Sequence, residues 1–188
     1  MENYSLELAG IKRTLPFVKI NDRLAYASFV VISDSRLVEA VAPLLVERIK
    51  DCDVIVTAEA KGIALTYEVS KQLDLDRFVV ARKSIKSYMK DPVSVSVRSI
   101  TTFDEQKLYL DGNDIGYLKD KNVCLLDDVV STGESLHALE ELVTKAGGII
   151  KARAAILAEG DAADRDDLIF LQKLPLFAIN ENGEYEEI

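Results

Sequence analysis

Short apolar runs alternate along this chain with stretches whose apolar residues return at helical spacing. Val30-Val31-Ile32 closes the first apolar run as a strand, and Ser33-Asp34-Ser35 then offers a helix N-cap. Leu37, Val38, Val41, Leu44, Leu45 and Ile49 follow on one helical face. Val54-Ile55-Val56 reads as a strand, about Gly62 to Leu73 as a helix, and Arg77 to Ala81 as a strand. Val123 to Leu126 is a fourth apolar run, and Glu134 to Lys145 a helix stopped by Gly147-Gly148. Ile149 to Leu157 and Leu174 to Ile179 supply the last strands. Apolar strands alternating with helices predict an α/β fold, a parallel sheet flanked by helices. Ligands of such sheets bind beyond the carboxyl ends of the strands.

One stretch breaks the rhythm. Residues 83–111 are polar, with alternation only in Val93 to Ile100 and Gln106 to Asp111. This predicts a flexible loop leading into a β-hairpin, and a long loop in a compact domain usually serves function. Nothing resembling a linker or a repeat divides the chain, so residues 1–188 read as one domain, with 180–188 as a frayed acidic tail.

Composition narrows the function classes. The net charge of −9 argues against nucleic acid as a partner, because neutralising phosphates needs a basic surface. No apolar run reaches bilayer length, and Met1-Glu2-Asn3-Tyr4 has no signal-like pattern, so a cytoplasmic protein is expected. Cys52 and Cys124 fall beside or inside apolar runs and read as reduced core thiols. His137, the only histidine, reads as a surface helix residue.

The chemistry concentrates where the fourth strand ends. Asp127 and Asp128 are followed by Val129-Val130-Ser131-Thr132-Gly133-Glu134-Ser135, a loop that opens a helix. Unpaired N–H groups and the helix dipole at such a terminus favour an anion. Ser131, Thr132 and Ser135 add hydroxyl donors, and Gly133 lets backbone approach closely. The two carboxylates suit a sugar diol or a cation better than a second phosphate. Together these groups describe a sugar phosphate site. The structural alternative is a capping box, Ser131 paired with Glu134.

The string from Val123 to Ser135 resembles the motif of the type I phosphoribosyltransferases for 5-phosphoribosyl diphosphate (PRPP). That resemblance implies that Asp127 and Asp128 hold the ribose hydroxyls, with magnesium as a possible further ligand of the pair. It implies that Val130, Ser131, Thr132, Gly133, Glu134 and Ser135 bind the 5-phosphate. Glu59-Ala60-Lys61-Gly62, again between strand and helix, resembles the family's diphosphate loop, with a non-proline cis peptide expected near Ala60–Lys61. Arg82 and Lys83 open the long loop and are similar to the family's further diphosphate contacts. Asp127, Asp128 and Lys83 are thereby the expected catalytic residues, Mg2+ the cofactor and a homodimer the assembly. The fold implied is a parallel sheet with a small hood.

The acceptor base is less sharply marked. Ala81-Arg82-Lys83 before a hairpin resembles the adenine enzymes, while Lys86-Ser87 and Ser99-Ile100-Thr101-Thr102 also look like the xanthine type. Thr101, Thr102 and Asp104 are the nearest counterparts of a glutamate that assists proton transfer in adenine enzymes. Ala158-Glu159-Gly160-Asp161 carries no counterpart of the hood lysine of xanthine and hypoxanthine–guanine enzymes. A purine phosphoribosyltransferase favouring adenine is therefore expected, with xanthine or hypoxanthine/guanine as alternative bases. A PRPP-binding regulator without catalysis is the remaining alternative, although such proteins need a DNA-binding segment.

Overall fold

A computed structural model describes residues 3–97 and 106–188. The chain opens with an antiparallel meander that its apolar pattern did not lead us to expect: β1 (Asn3–Leu8), β2 (Ile11–Lys19) and β3 (Leu24–Ala27). Leu6 and Leu8 point inward while Ser5 and Glu7 stay in solvent, the two-residue period of a half-buried strand. The β1–β2 turn places Ala9 at φ 50 and Gly10 at φ 77, the pair of positive φ values that a tight hairpin uses to match strand twist. Val30 to Ile32 forms no strand, contrary to expectation. Val31 is buried, but its carbonyl accepts from the Asp34 N–H and closes a turn into the first helix.

That helix, α1 (Ser35–Val46), is capped by Asp34, whose carboxylate accepts from the Leu37 N–H and from Arg13 on β2. After β4 (Val54–Ala58), α2 (Ile63–Gln72) and β5 (Val79–Ala81) comes the hairpin of β6 (Val93–Val97) and β7 (Gln106–Leu110). The chain continues through α3 (Gly112–Leu118), β8 (Asn122–Val130), α4 (Glu134–Lys145) and β9 (Ile149–Glu159). A 3-10 turn over Gly160–Asp164 leads to β10 (Ile169–Leu174), then β11 (Leu176–Ile179) and β12 (Tyr185–Glu187). The central sheet is all parallel in the order β10-β9-β8-β4-β5.

Its strands are apolar on both faces because both are covered. Ile55, Cys124 and Leu126 pack with α1 and α2, while Val54, Val56, Val123 and Leu125 pack with α4 and the hairpin. Both cysteines are buried free thiols.

The C-terminal expectations need correcting. The 174–179 run is not one strand, because Pro175 sits between β10 in the parallel sheet and β11 in the antiparallel one. Proline has no N–H for a ladder, so the chain changes sheets there. The acidic segment is not frayed from 185 to 187: β12 pairs with β11, and Tyr185 stacks on Phe17 at 4.2 Å. The antiparallel sheet β1-β2-β3-β11-β12 is the small hood, packed beside α1 and α2. No helix among the described residues is long and apolar enough to cross a membrane.

Candidate active site

β8 is longer than its apolar run. It continues through Asp127 to Val130, because pairing with β9 carries on from Asp127↔Ala155 to Val130↔Ala158. The acids therefore sit among the last residues of a central strand, and the Val130 side chain belongs to the core. Only the backbone of Val130 can face a ligand.

Asp128 is 1% exposed, yet neither of its carboxylate oxygens has a hydrogen-bond partner among the described residues. Lys61 supplies charge instead, with Nζ 3.0 Å from Asp128 Oδ2. Asp127 Oδ1 accepts the Asp128 N–H at 2.8 Å. Burial and the neighbouring Asp128 charge push the Asp127 carboxyl up to about 7, against the opposing pull of that N–H and of Lys61. Glu159, at the end of β9, is also raised by burial and opposed by Lys61. One ammonium thus serves three carboxyl groups at the strand ends.

The sign of the resulting pH dependence is fixed. A carboxyl raised from about 3.9 in the unfolded chain to about 7 favours the folded state below the lower value. That contribution is lost as pH rises through the higher one. The melting temperature of ligand-free protein should therefore fall between about pH 5 and pH 8 by more than that of Asp127→Asn. Parallel pH profiles for the two proteins would contradict this.

The Glu59–Gly62 loop adjoins the acids. The cis peptide lies at Glu59–Ala60, one bond earlier than the expected Ala60–Lys61. Gly62 is buried against the acid pair, and a Cβ there would meet Thr57 Oγ1 at 2.4 Å and Asp127 Oδ1 at 3.5 Å. Glu59 is occupied by the third expected element. Its Oε2 accepts the Lys83 N–H at 2.9 Å and lies 3.3 Å from Arg82 Nε. The Lys83 N–H, followed by the charges of Arg82, Lys86 and Lys83, holds the Glu59 carboxyl below the usual range. Arg82 also bridges to Tyr109 on β7, which ties the start of the long loop to the hairpin.

The loop after the acids forms no capping box. Gly133, in the left-handed region at φ 79, occupies the N-cap of α4, and no side chain caps that helix. Ser131, Thr132 and Ser135 are exposed, leaving their hydroxyls and the first N–H groups of α4 facing outward. Glu134 stands in the first turn. His137 is exposed near Glu140 and Glu141, away from the acid pair. Ser99, Ile100, Thr101, Thr102 and Asp104 lie outside the described residues.

A family model described as the phosphoribosyl transferase domain matches residues 32–180, most of the chain. The chain belongs to the phosphoribosyl transferase family. It is accordingly a glycosyltransferase-type enzyme with the type I fold. A hypoxanthine/guanine phosphoribosyltransferase of Methanocella paludicola is 30% identical over 186 residues, covering 94% of this chain and 93% of its own. That of Methanococcus voltae is 33% identical over 153 residues, covering 79% and 78%. Among solved structures, adenine phosphoribosyltransferase from Thermoanaerobacter pseudethanolicus superposes with a TM-score of 0.66 at 22% identity, covering 77% of this chain and 84% of that one. The Saccharomyces cerevisiae enzyme gives 0.67 at 17% identity, covering 84% and 93%. This phosphoribosyl transferase thus shares its fold with adenine enzymes and its nearer sequence likeness with hypoxanthine/guanine enzymes.

Two groups near the candidate site carry no signal of their own in the sequence, Glu159 at the end of β9 and Arg165 after it. Nη1 of Arg165 lies 2.8 Å from where a Cβ on Gly133 would stand. No local motif points from residue 165 to a loop thirty-two positions earlier; only the parallel pairing of β8 with β9 brings them together.

Proposed function

We propose that the chain transfers the 5-phosphoribosyl group of PRPP to a ring nitrogen of a purine base and releases diphosphate. The observation that carries this reading is Asp128: a buried carboxylate met only by the Lys61 ammonium at Oδ2, with Oδ1 unpaired, set between two strand–loop–helix junctions. Burying such a group with one oxygen unpaired costs stability, which a binding site for hydroxyls or a cation explains.

In this reading Asp127 and Asp128 accept hydrogen bonds from the ribose hydroxyls. The exposed hydroxyls of Ser131, Thr132 and Ser135, with the backbone from Val130 to Ser135, receive the 5-phosphate. The Ala60–Gly62 backbone and Lys61 face the diphosphate. Arg82 and Lys83 hold it from the far side, kept in place by Glu59. Positive charge developing on the ribose is stabilised by the two carboxylates, and negative charge on the leaving group by Lys61, Arg82 and Lys83. The long loop excludes water that would otherwise hydrolyse PRPP.

The donor set also suits magnesium. Among the described residues no cluster of three or more ligating side chains exists, so a wholly protein-made site is not supported. Magnesium needs only one or two carboxylates when phosphate oxygens complete its shell, and Asp128 with Asp127 offers these. When bound there it would neutralise charge on the departing diphosphate.

Two acceptor bases remain in view. Adenine is favoured by an acid, Glu159, at the end of β9, because a carboxylate accepts from an exocyclic amino group and repels a 6-oxo group. Hypoxanthine or guanine is favoured by the names of relatives at 30–33% identity. Incubating the protein with PRPP, magnesium and adenine, hypoxanthine, guanine or xanthine separately decides between them. Nucleotide formed from one of the four is expected. No product from any would remove catalysis and leave a PRPP-binding regulator.

A further inference from the structure

The loop assigned to the 5-phosphate has an electrostatic deficit. Ser131 to Ser135 contains no cation and does contain Glu134, in the first turn of α4. Helix-terminal N–H groups can cradle a phosphate, but a nearby carboxylate works against a dianion. A cation from elsewhere in the fold would correct this.

Arg165 is in position to do so. It follows the 3-10 turn after β9, and its Nη1 approaches to 2.8 Å from the place a Cβ on Gly133 would take. Glycine at 133 therefore admits the guanidinium as well as the left-handed backbone. The opposite edge of the guanidinium is fixed by a fork: Nε donates to Asp167 Oδ1 and Nη2 to Asp167 Oδ2, both at 2.9 Å. Asp167 is steadied in turn by Arg153, whose Nε lies 3.4 Å from Oδ2 and which also bonds Glu140 on α4. The Asp167 fork takes Nε and Nη2, and Nη1 is the donor nearest the loop. The arginine side chain is 32% exposed, open enough to meet a ligand.

We propose that Arg165, oriented by Asp167, is the cation of the 5-phosphate site and contacts the phosphate through Nη1. Arg165 would touch substrate, whereas Asp167 is a positioning residue. The inference rests on the proposed reading of residues 130–135 as a phosphate cradle. A planar guanidinium clamped on one edge presents its remaining donors with little entropy left to lose.

Titration calorimetry with ribose 5-phosphate and, separately, with magnesium diphosphate tests it in the full-length protein. Arg165→Gln should bind ribose 5-phosphate about 10- to 100-fold more weakly, the loss of one or two charge-assisted hydrogen bonds. Its affinity for magnesium diphosphate should not change. In turnover, the KM for PRPP should rise with kcat nearly constant, because the contact is made equally in ground and transition states. Arg165→Lys should recover part of the loss, and Asp167→Asn should show a smaller rise in KM alone. Wild-type affinity of Arg165→Gln for ribose 5-phosphate would overturn the inference while leaving the functional reading intact. Equal loss of both ligands would also overturn it, by showing a structural role. A wild-type protein that binds neither ligand would overturn the inference together with the reading beneath it.

Discussion

Asp127→Asn combined with Asp128→Asn is expected to lower kcat/KM for PRPP by a factor of about 10²–10⁴ without loss of stability. A hydrogen bond to a charged group contributes about 1.5–3 kcal/mol, so two such acceptors give about 3–6 kcal/mol. Each tenfold in rate corresponds to about 1.36 kcal/mol, which sets the range. The stability side has the opposite sign from most core substitutions. Asp128 is buried with Oδ1 unpaired and only Lys61 against Oδ2, and Asp127 is already pushed up to about 7 by burial and by its neighbour. Neutral amides remove that repulsion, so at about pH 8 the double variant should melt at or above the wild-type temperature. Lys61 loses its partner, but at 50% exposure it returns to water at little cost. A variant that is inactive because it is unfolded, or folded and fully active, would each count against the assignment.

Gly62→Ala should damage both fold and site. The added Cβ would fall 2.4 Å from Thr57 Oγ1, and Thr57 is fully buried on β4. Forcing one methyl into a packed interior costs about 1–3 kcal/mol. For a chain of this length that is a fall of about 2–10 °C in melting temperature. Turnover should fall further than stability accounts for, because relief requires the Ala60–Gly62 backbone to move away from Asp127. Thr57→Ala in the same chain removes the clashing oxygen, which has no hydrogen-bond partner to lose, and should restore most of the melting temperature. An unaltered melting temperature in Gly62→Ala alone would show that the loop is slack.

Much of this arrangement could be read from residue order, for identifiable reasons. The central strands are covered on both faces, so the middles of β4, β8 and β9 (Val54 to Val56, Val123 to Leu126, Ala154 to Ala158) are apolar runs with little ambiguity. Ser33-Asp34-Ser35 carried the capping chemistry that Asp34 performs. The hood was less legible. Its first turn uses Ala9 at positive φ, a residue that gives no turn signal, and its first strands lie outside the β–α alternation. β12 did leave a trace, Asn182-Gly183 before Tyr185, with the Asn180 carboxamide oxygen accepting from the N–H groups of Asn182 and Glu184. The acidity of the segment outweighed that turn signal.

In the candidate site, the string from Asp127 to Ser135 is legible as a unit because strand, acids and loop are contiguous. Contacts across strands did not. The Lys61–Asp128 ion pair, the hold of Glu59 on Arg82 and Lys83, and the approach of Arg165 to Gly133 all arise from parallel pairing that brings distant strand ends to one edge. The capping box does not form for a geometric reason: Gly133 at positive φ takes the N-cap of α4, two residues after Ser131, so Ser131 lies outside the cap.

The paired acids and the loop beyond them are proposed to form a PRPP site. Equilibrium binding of PRPP with magnesium to the wild-type protein and to the Asp127→Asn, Asp128→Asn double variant tests it most directly. One PRPP per chain is expected for the wild type, with binding weakened by orders of magnitude in the variant while its melting curve stays cooperative. Equal binding by both proteins would show that the paired acids do not hold PRPP.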